Sequence, residues 1–275
     1  GCIVASFPYY LRKNRLWLKL ILMPKLTQTM GVWVKYPEAQ KYTNKLSFEK
    51  DIFIELIEKL PGFDIFTQNF HYSFTNWLTF YWKGFNQTTR YTYVLDDLSE
   101  LDKIFANFRS NIKTDIRKAY KLLEIYTEDN ISKFYDINMM TFKRQDKKEP
   151  YSLKFSERLD TACRERNCRK IFFAEDKEGN IHAAVYMIWD ENSAYYLMGG
   201  ANPKYRNSGA TSLLMWEAMR FAATVTKRFD FEGSMIEPVE RFFRAFGAVQ
   251  QPYFQITKIN SRLLKIQKCL REIIR

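Results

Sequence analysis

Ala194-Tyr195-Tyr196-Leu197-Met198-Gly199-Gly200-Ala201-Asn202-Pro203, then Tyr205-Arg206-Asn207-Ser208-Gly209-Ala210, opens the stretch from Ser193 to Lys258 that decides the fold. The aromatic run reads as a strand and the second run as a loop. Thr211 to Val225 is an apolar helix, and Arg228-Phe229-Asp230-Phe231-Glu232 is a strand that ends in Gly233-Ser234. Pro238 to Phe246 reads as a helix stopped by Gly247, and Tyr253 to Lys258 as a final strand. Strand, glycine-bearing loop, helix, strand is a βαβ unit. A helix start preceded by small residues is a ready site for an anion. Gly209 lets the backbone approach a phosphate closely, although one glycine also serves simply to begin a helix beside a sheet.

Outward from there, the second half reads in order. Ile131 to Phe142 and Leu153 to Arg166 have helical spacing, with a polar loop from Arg144 to Pro150 between them. Ile171 to Glu175, Ile181 to Trp189 and Ser193 to Gly199 read as three antiparallel strands, the first turn carrying Gly179-Asn180. These periods support an α+β sheet with helices on both faces.

The first half is less regular. Ile3 to Tyr10 and Leu16 to Leu22 read as strands around a turn at Arg12 to Arg15, buried on both faces because they alternate poorly. Ser47 is the expected N-cap of a helix from Phe48 to Leu60, ended by Pro61-Gly62. Phe63 to Asn69, Trp77 to Trp82 and Arg90 to Leu95 read as strands. Trp77, Phe80, Tyr81, Trp82 and Phe85 line a cleft or, the commoner meaning, fill a core. Asp97 to Leu123 is one helical region with a stripe from Leu101 to Ile116 and a basic face of Arg109, Lys113, Arg117, Lys118 and Lys121. Such a face meets phosphates or is merely solvated. Ile259 to Arg275 reads as an amphipathic basic helix, suited to peripheral membrane contact or to docking on its own domain.

The ordering of the second half, and the loop Arg206-x-x-Gly209-x-Thr211, resemble the GNAT superfamily of acyl-CoA N-acyltransferases. There an Arg/Gln-x-x-Gly-x-Gly/Ala loop holds the coenzyme A pyrophosphate on backbone amides; here Thr211 replaces the last small residue. The branch of FemA, FemB and FemX, which make peptidoglycan bridges from aminoacyl-tRNA, is closer still. It is carried by the residues from Gly199 to Ala210, Phe229 to Ser234 and Phe242 to Ala248, with weaker likeness at Leu26 to Trp33 and Arg109 to Ala119. The resemblance implies a GNAT-like α+β fold, a mixed, mostly antiparallel sheet flanked by helices, in two halves with the first incomplete at its N-terminus. It implies an N-terminal half over 1–97, a basic linking helix over 98–124, an acyltransferase domain over 125–258 and a C-terminal helix over 259–275.

The formal charge of +12 favours phosphate-bearing partners. With 46% hydrophobic residues the chain is not a disordered one, and no apolar run approaches the length of a spanning helix. Four cysteines and two histidines argue for a cytoplasmic protein without a metal site or a histidine-based triad.

Acyl transfer to an amine needs a held donor, a base and stabilisation of the developing oxyanion. The resemblance assigns the donor's phosphates to Arg206, Asn207, Ser208, Gly209, Ala210 and Thr211. A valine at Gly209 is then expected to block the donor and leave the fold intact. Glu232 and Asp230, on one sheet face by alternation, are the candidate bases, each with the alternative of a paired or solvated carboxylate. Ser234 and Tyr195 complete the catalytic candidates; Tyr186, Tyr196, Gly200 and Gly233 are the candidate acceptor contacts. Many acetyl-CoA enzymes of this kind place a tyrosine four residues before the glycine that ends the last helix. Phe243 stands there, and a phenyl ring donates no proton. The expected activity is N-acyl transfer from acyl-CoA as co-substrate. Aminoacyl-tRNA-dependent transfer to a cell-wall precursor is the alternative, and a catalytically silent binding protein the second. DNA is not an expected partner.

Overall fold

The computed structural model describes residues 2–233, 235–262 and 264–266. The chain divides into two compact units, one formed by 1–90 with 252–275 and the other by 91–251.

The first unit starts with β1 (Ala5–Ser6), β2 (Tyr10–Lys13), β3 (Lys19–Leu22) and β4 (Trp33–Val34). There follow α1 (Tyr42–Glu58), β5 (Ile65–Asn69), α2 (Leu78–Trp82) and β6 (Asn86–Leu95), which leads into the second unit. The expected hairpin forms between β2 and β3, but β2 is exposed along its whole length rather than buried on both faces. Helix α1 begins well before Ser47. That residue is no cap, and its hydroxyl donates to the Thr43 carbonyl within the helix. The aromatic run at Trp77 to Trp82 is a short helix rather than a strand. Phe80 and Phe85 go to a core with Phe7, Phe53, Phe66 and Phe70, while Tyr81 and Trp82 stay exposed. The period of three between Trp77 and Phe80, on one helical face, outweighs the aromatic preference for strands.

The second unit holds α3 (Leu101–Asn107), α4 (Ser110–Leu122), β7 (Glu124–Thr127), α5 (Ile131–Arg144) and α6 (Leu153–Glu165). Then come β8 (Arg169–Glu175), β9 (Ile181–Trp189), β10 (Ser193–Ala201), a 3-10 turn (Pro203–Tyr205) and α7 (Ala210–Ala222). β11 (Arg228–Asp230) and α8 (Glu237–Arg244) follow, and β12 (Val249–Ile259) carries the chain back. The single helix expected over Asp97 to Leu123 is two. Phe108 is extended between them, and the Arg109 N–H donates to the Ala245 carbonyl. Both helices lie inside the second unit. The tail expected as a basic helix lies mostly outside the described residues.

Strand order in the second unit is β6-β11-β10-β9-β8-β7, antiparallel except for β10 with β11. One face carries α3, α4, α7 and α8 over the main core, where Phe108, Leu213, Met219, Phe229 and Phe246 are buried. α5 and α6 cover the other: Phe134 of α5 packs on Tyr186, and Gly200 lies so close to α5 that a Cβ there would collide with the Asn138 backbone. No described helix is long and apolar enough to cross a membrane.

Candidate active site

The site begins where two parallel strands part. β11 pairs with β10 over three positions only, from Ser193↔Arg228 to Tyr195↔Asp230. β10 then shifts register against β9 between Tyr196 and Met198 and runs on to Ala201, while β11 ends at Asp230. Side chains from α5 take up backbone groups of this extension. Asn138 Nδ2 donates to the Gly199 carbonyl at 2.6 Å, and the Ala201 N–H donates to Thr141 Oγ1 at 3.2 Å. The Tyr151 hydroxyl donates to Asn138 Oδ1 at 2.7 Å and so fixes the amide's orientation.

A cleft of about 340 Å³ opens beside the extension. Tyr196 and Gly199 to Ala201 form its strand wall. Thr141 and Arg144 come from α5, Arg206 and Gly209 from the loop, and Thr211 and Ser212 from the first turn of α7. Asp115 of α4 and Phe242 of α8 close it. The Ala210 N–H bonds to Ser208 Oγ at 3.3 Å, which leaves the Thr211 and Ser212 amides as first-turn donors without helical acceptors. They sit at the positive end of the α7 dipole. Arg206 and Arg144 are exposed, and neither guanidinium is ion-paired among the described residues. Two unpaired cations thus flank free amide donors, an arrangement suited to a phosphate.

The loop is held from behind. Gly209 caps α7 in the left-handed region, φ +81°, and an added Cβ would press into the Asp115 carbonyl. Lys118 Nζ donates to the Asn207 carbonyl at 2.8 Å, and the Ser208 N–H to the Tyr205 carbonyl at 2.9 Å. The ring of Tyr205 lies flat on His182, centroids 4.1 Å apart, and His182 Nε2 is 3.0 Å from Asp176 Oδ2.

The cleft therefore gathers five residues singled out in the sequence: Tyr196, Gly200, Arg206, Gly209 and Thr211. Asn207, Ser208 and Ala210 shape the loop. Asp230 and Glu232 are not among the lining residues and stand where β11 leaves β10. Asp230 is buried. Its Oδ1 accepts from Thr92 Oγ1 at 2.5 Å and from the Glu232 N–H at 2.8 Å. Burial pushes its carboxyl up to about 6 against those hydrogen bonds. Burial first, and the charge of Asp230 second, push Glu232 up to about 8. Their common face does not follow from alternation, because the strand stops at Asp230 and Glu232 takes a left-handed φ of +59°.

Three assignments are corrected. The Tyr186 hydroxyl is fully buried and donates to Asp160 Oδ1 at 3.0 Å, beside the ion pair of Asp160 with Arg169 Nε at 2.9 Å. It is part of the core, and its hydroxyl is committed to Asp160. Tyr186→Phe is expected to lower stability by about 1–2 kcal/mol, the cost of leaving Asp160 short of a donor. It should leave the steady-state constants of transfer unchanged; a changed KM for the amine would restore the contact. Tyr195 donates to Asp190 Oδ2 at 3.0 Å and is not among the residues that line the cleft. Gly233, φ +49°, packs its backbone on Tyr91 and Thr92, so its smallness serves chain packing. Ser234 lies outside the described residues.

The sequence assigns no site role to Arg144, Thr141, Asn138, Ser212 or Phe242. Arg144 sat in an expected polar loop, and nothing local distinguishes it from Lys143. Tyr196 gains a sharper position. Its hydroxyl lies over Gly199, where any Cβ would overlap it, and burial pushes it up to about 12. Its ring meets that of Phe243 edge to face, centroids 5.8 Å apart.

A family model described as an acetyltransferase (GNAT) domain matches residues 106–243, half of the chain. The chain belongs to that family and is an acyltransferase. Its fold is that of the FemX-like members. The crystal structure of FemX is similar over 92% of this chain and 85% of its own, at 12% identity and a TM-score of 0.67. L-PGS from Bacillus licheniformis is similar over 97% and 89%, at 10% identity and 0.53. A tandem GNAT protein from the clavulanic acid biosynthesis pathway is similar over 88% and 75%, at 9% identity and 0.52. At such identities the likeness is one of fold. A comparison with curated protein sequences returns no match.

Proposed function

We propose that the protein transfers an acyl group from a phosphate-bearing activated donor to an amine, with an acyl-CoA as the donor. The observation that carries this reading is the pairing of unpaired Arg144 and Arg206 with the free first-turn amides of Thr211 and Ser212 in one cleft. Glu232 takes a proton from the amine. The nitrogen adds to the acyl carbon, and the carbon–sulfur bond breaks as the leaving thiolate receives a proton from Tyr196. Solvent returns the proton from Glu232 to the tyrosinate. The raised value of Glu232 suits a base that works near neutrality.

Calorimetry with CoA and acetyl-CoA tests the cleft. Arg206→Ala and Arg144→Ala, both exposed and so neutral for folding, should each weaken CoA by about tenfold, the worth of one charge-assisted hydrogen bond at an exposed site. Wild-type affinity in the double variant would remove the cleft from donor binding. A second reading, an aminoacyl-tRNA donor, is favoured by the exposed row Arg117, Lys118 and Lys121 on α4 beside the loop. It requires binding of charged tRNA that weakens steeply with salt and with Arg117→Ala/Lys121→Ala.

A further inference from the structure

Helix α8 carries five apolar side chains within one arc of its surface: Ile236 at its cap, then Val239, Phe242, Phe243 and Phe246 just past its end. Phe243 and Phe246 are buried in the core, and Phe242 lines the cleft. The outer end of the same stripe is exposed to solvent. Ile236 is 54% exposed and Val239 36%, with the neighbouring Met235 at 53%. Contiguous exposed apolar side chains, unlike scattered ones, mark a surface that binds something. Here the uncovered part continues outward from the cleft.

The opposite wall of the cleft is also poor in free polar groups. The Gly199 carbonyl and the Ala201 N–H are already paired with Asn138 and Thr141, and glycines and the Tyr196 ring face inward. An extended ligand with amides would find those two partners occupied. A hydrocarbon would lose nothing there.

We infer that the donor carries a hydrocarbon acyl chain of medium or greater length, laid along Phe242, Val239 and Ile236, with its anionic carrier at Arg206 and Arg144. This rests on the donor reading above and narrows it from any acyl group to a fatty acyl one. A bilayer is the poorer occupant. The charges of α8 are Glu237, Glu240, Arg241 and Arg244, which sum to zero, whereas a helix that lies on anionic lipid has a basic polar face. The bare stripe is also only a few side chains long, the size of one chain rather than of a surface.

Calorimetry with CoA, acetyl-CoA and octanoyl-CoA decides it. A fully buried methylene is worth roughly fourfold in affinity. Octanoyl-CoA, with six more than acetyl-CoA, should bind at least about tenfold tighter even if the chain is only partly covered. Ile236→Ser/Val239→Ser should erase that gain and leave CoA itself unchanged. Both sites are exposed, and serine is a favourable helix cap, so the variant keeps its fold. Equal affinity for the two esters, with CoA still bound, overturns the chain and leaves the donor cleft standing. Failure of CoA and both esters to bind overturns the donor reading and the chain together. Binding to anionic vesicles that the double variant abolishes, without any chain-length dependence, would make the stripe a membrane contact instead.

Discussion

Glu232→Gln is expected to slow transfer by about 10²–10⁴-fold while CoA binds as tightly as before, the usual loss when a positioned base is removed. Glutamine keeps the shape and the left-handed backbone but cannot take a proton. The wild-type rate should climb with pH and level off above about 8, because only the ionised carboxylate is a base and burial holds its proton up to that pH. Stability should move the opposite way. The folded-state value lies above the ordinary 4.5, so the native protein holds this proton more tightly than the unfolded chain does. The resulting stabilisation is complete below about pH 4.5 and is lost as pH rises through about 8. Glu232→Gln should flatten that slope and be the more stable protein at pH 8. Initial rates and thermal melts across pH 5–9 check both. A variant that turns over at the wild-type rate, or a rate profile without a limb near 8, removes Glu232 from the chemistry.

The second large effect is structural. Gly209→Ala is expected to destabilise the protein by about 2–5 kcal/mol, and Gly209→Val by more. Two costs add. A left-handed φ of +81° costs an L-residue about 1–2 kcal/mol, and a Cβ forced into the Asp115 backbone adds about 1–3 kcal/mol of overpacking. Gly179 supplies the control, since it has the same φ of +81° and no atom within 4 Å of an added Cβ. Gly179→Ala should therefore show the conformational cost alone. Denaturant melts of the two variants isolate the collision as their difference. Equal losses would show that α4 yields and that Gly209 is free to serve the ligand only. The valine expected to block the donor on an intact fold is thus a poor probe of binding; Arg206 and Arg144 are the clean ones.

The course of the chain from Leu153 onward could be read from its residues because its signals are local. Gly179-Asn180 turns β8 into β9, Pro238 enters α8, and Gly247 ends it. The basic stretch around Arg109 was harder. Its apolar stripe continues unbroken in sequence, but Phe108 leaves the helix to pack on Trp216 and Phe246, a tertiary preference invisible to period alone. In the first unit the Trp77 to Trp82 run has composition for a strand and packing for a helix, and packing prevailed.

What the residues by themselves determined was the class of fold and the course of the glycine-bearing loop, since Arg206, Gly209 and Thr211 lie together in the chain and need only a helix start to come together. What only the tertiary structure decided was the rest of the cleft. Arg144 and Thr141 reach it from a helix more than 60 residues away in sequence, and Phe242 from the other side. Tyr186 and Tyr195, plausible by type, were drawn off by Asp160 and Asp190. A hydroxyl or a guanidinium acts where its neighbours leave it unpaired, and those neighbours are chosen by packing between distant segments.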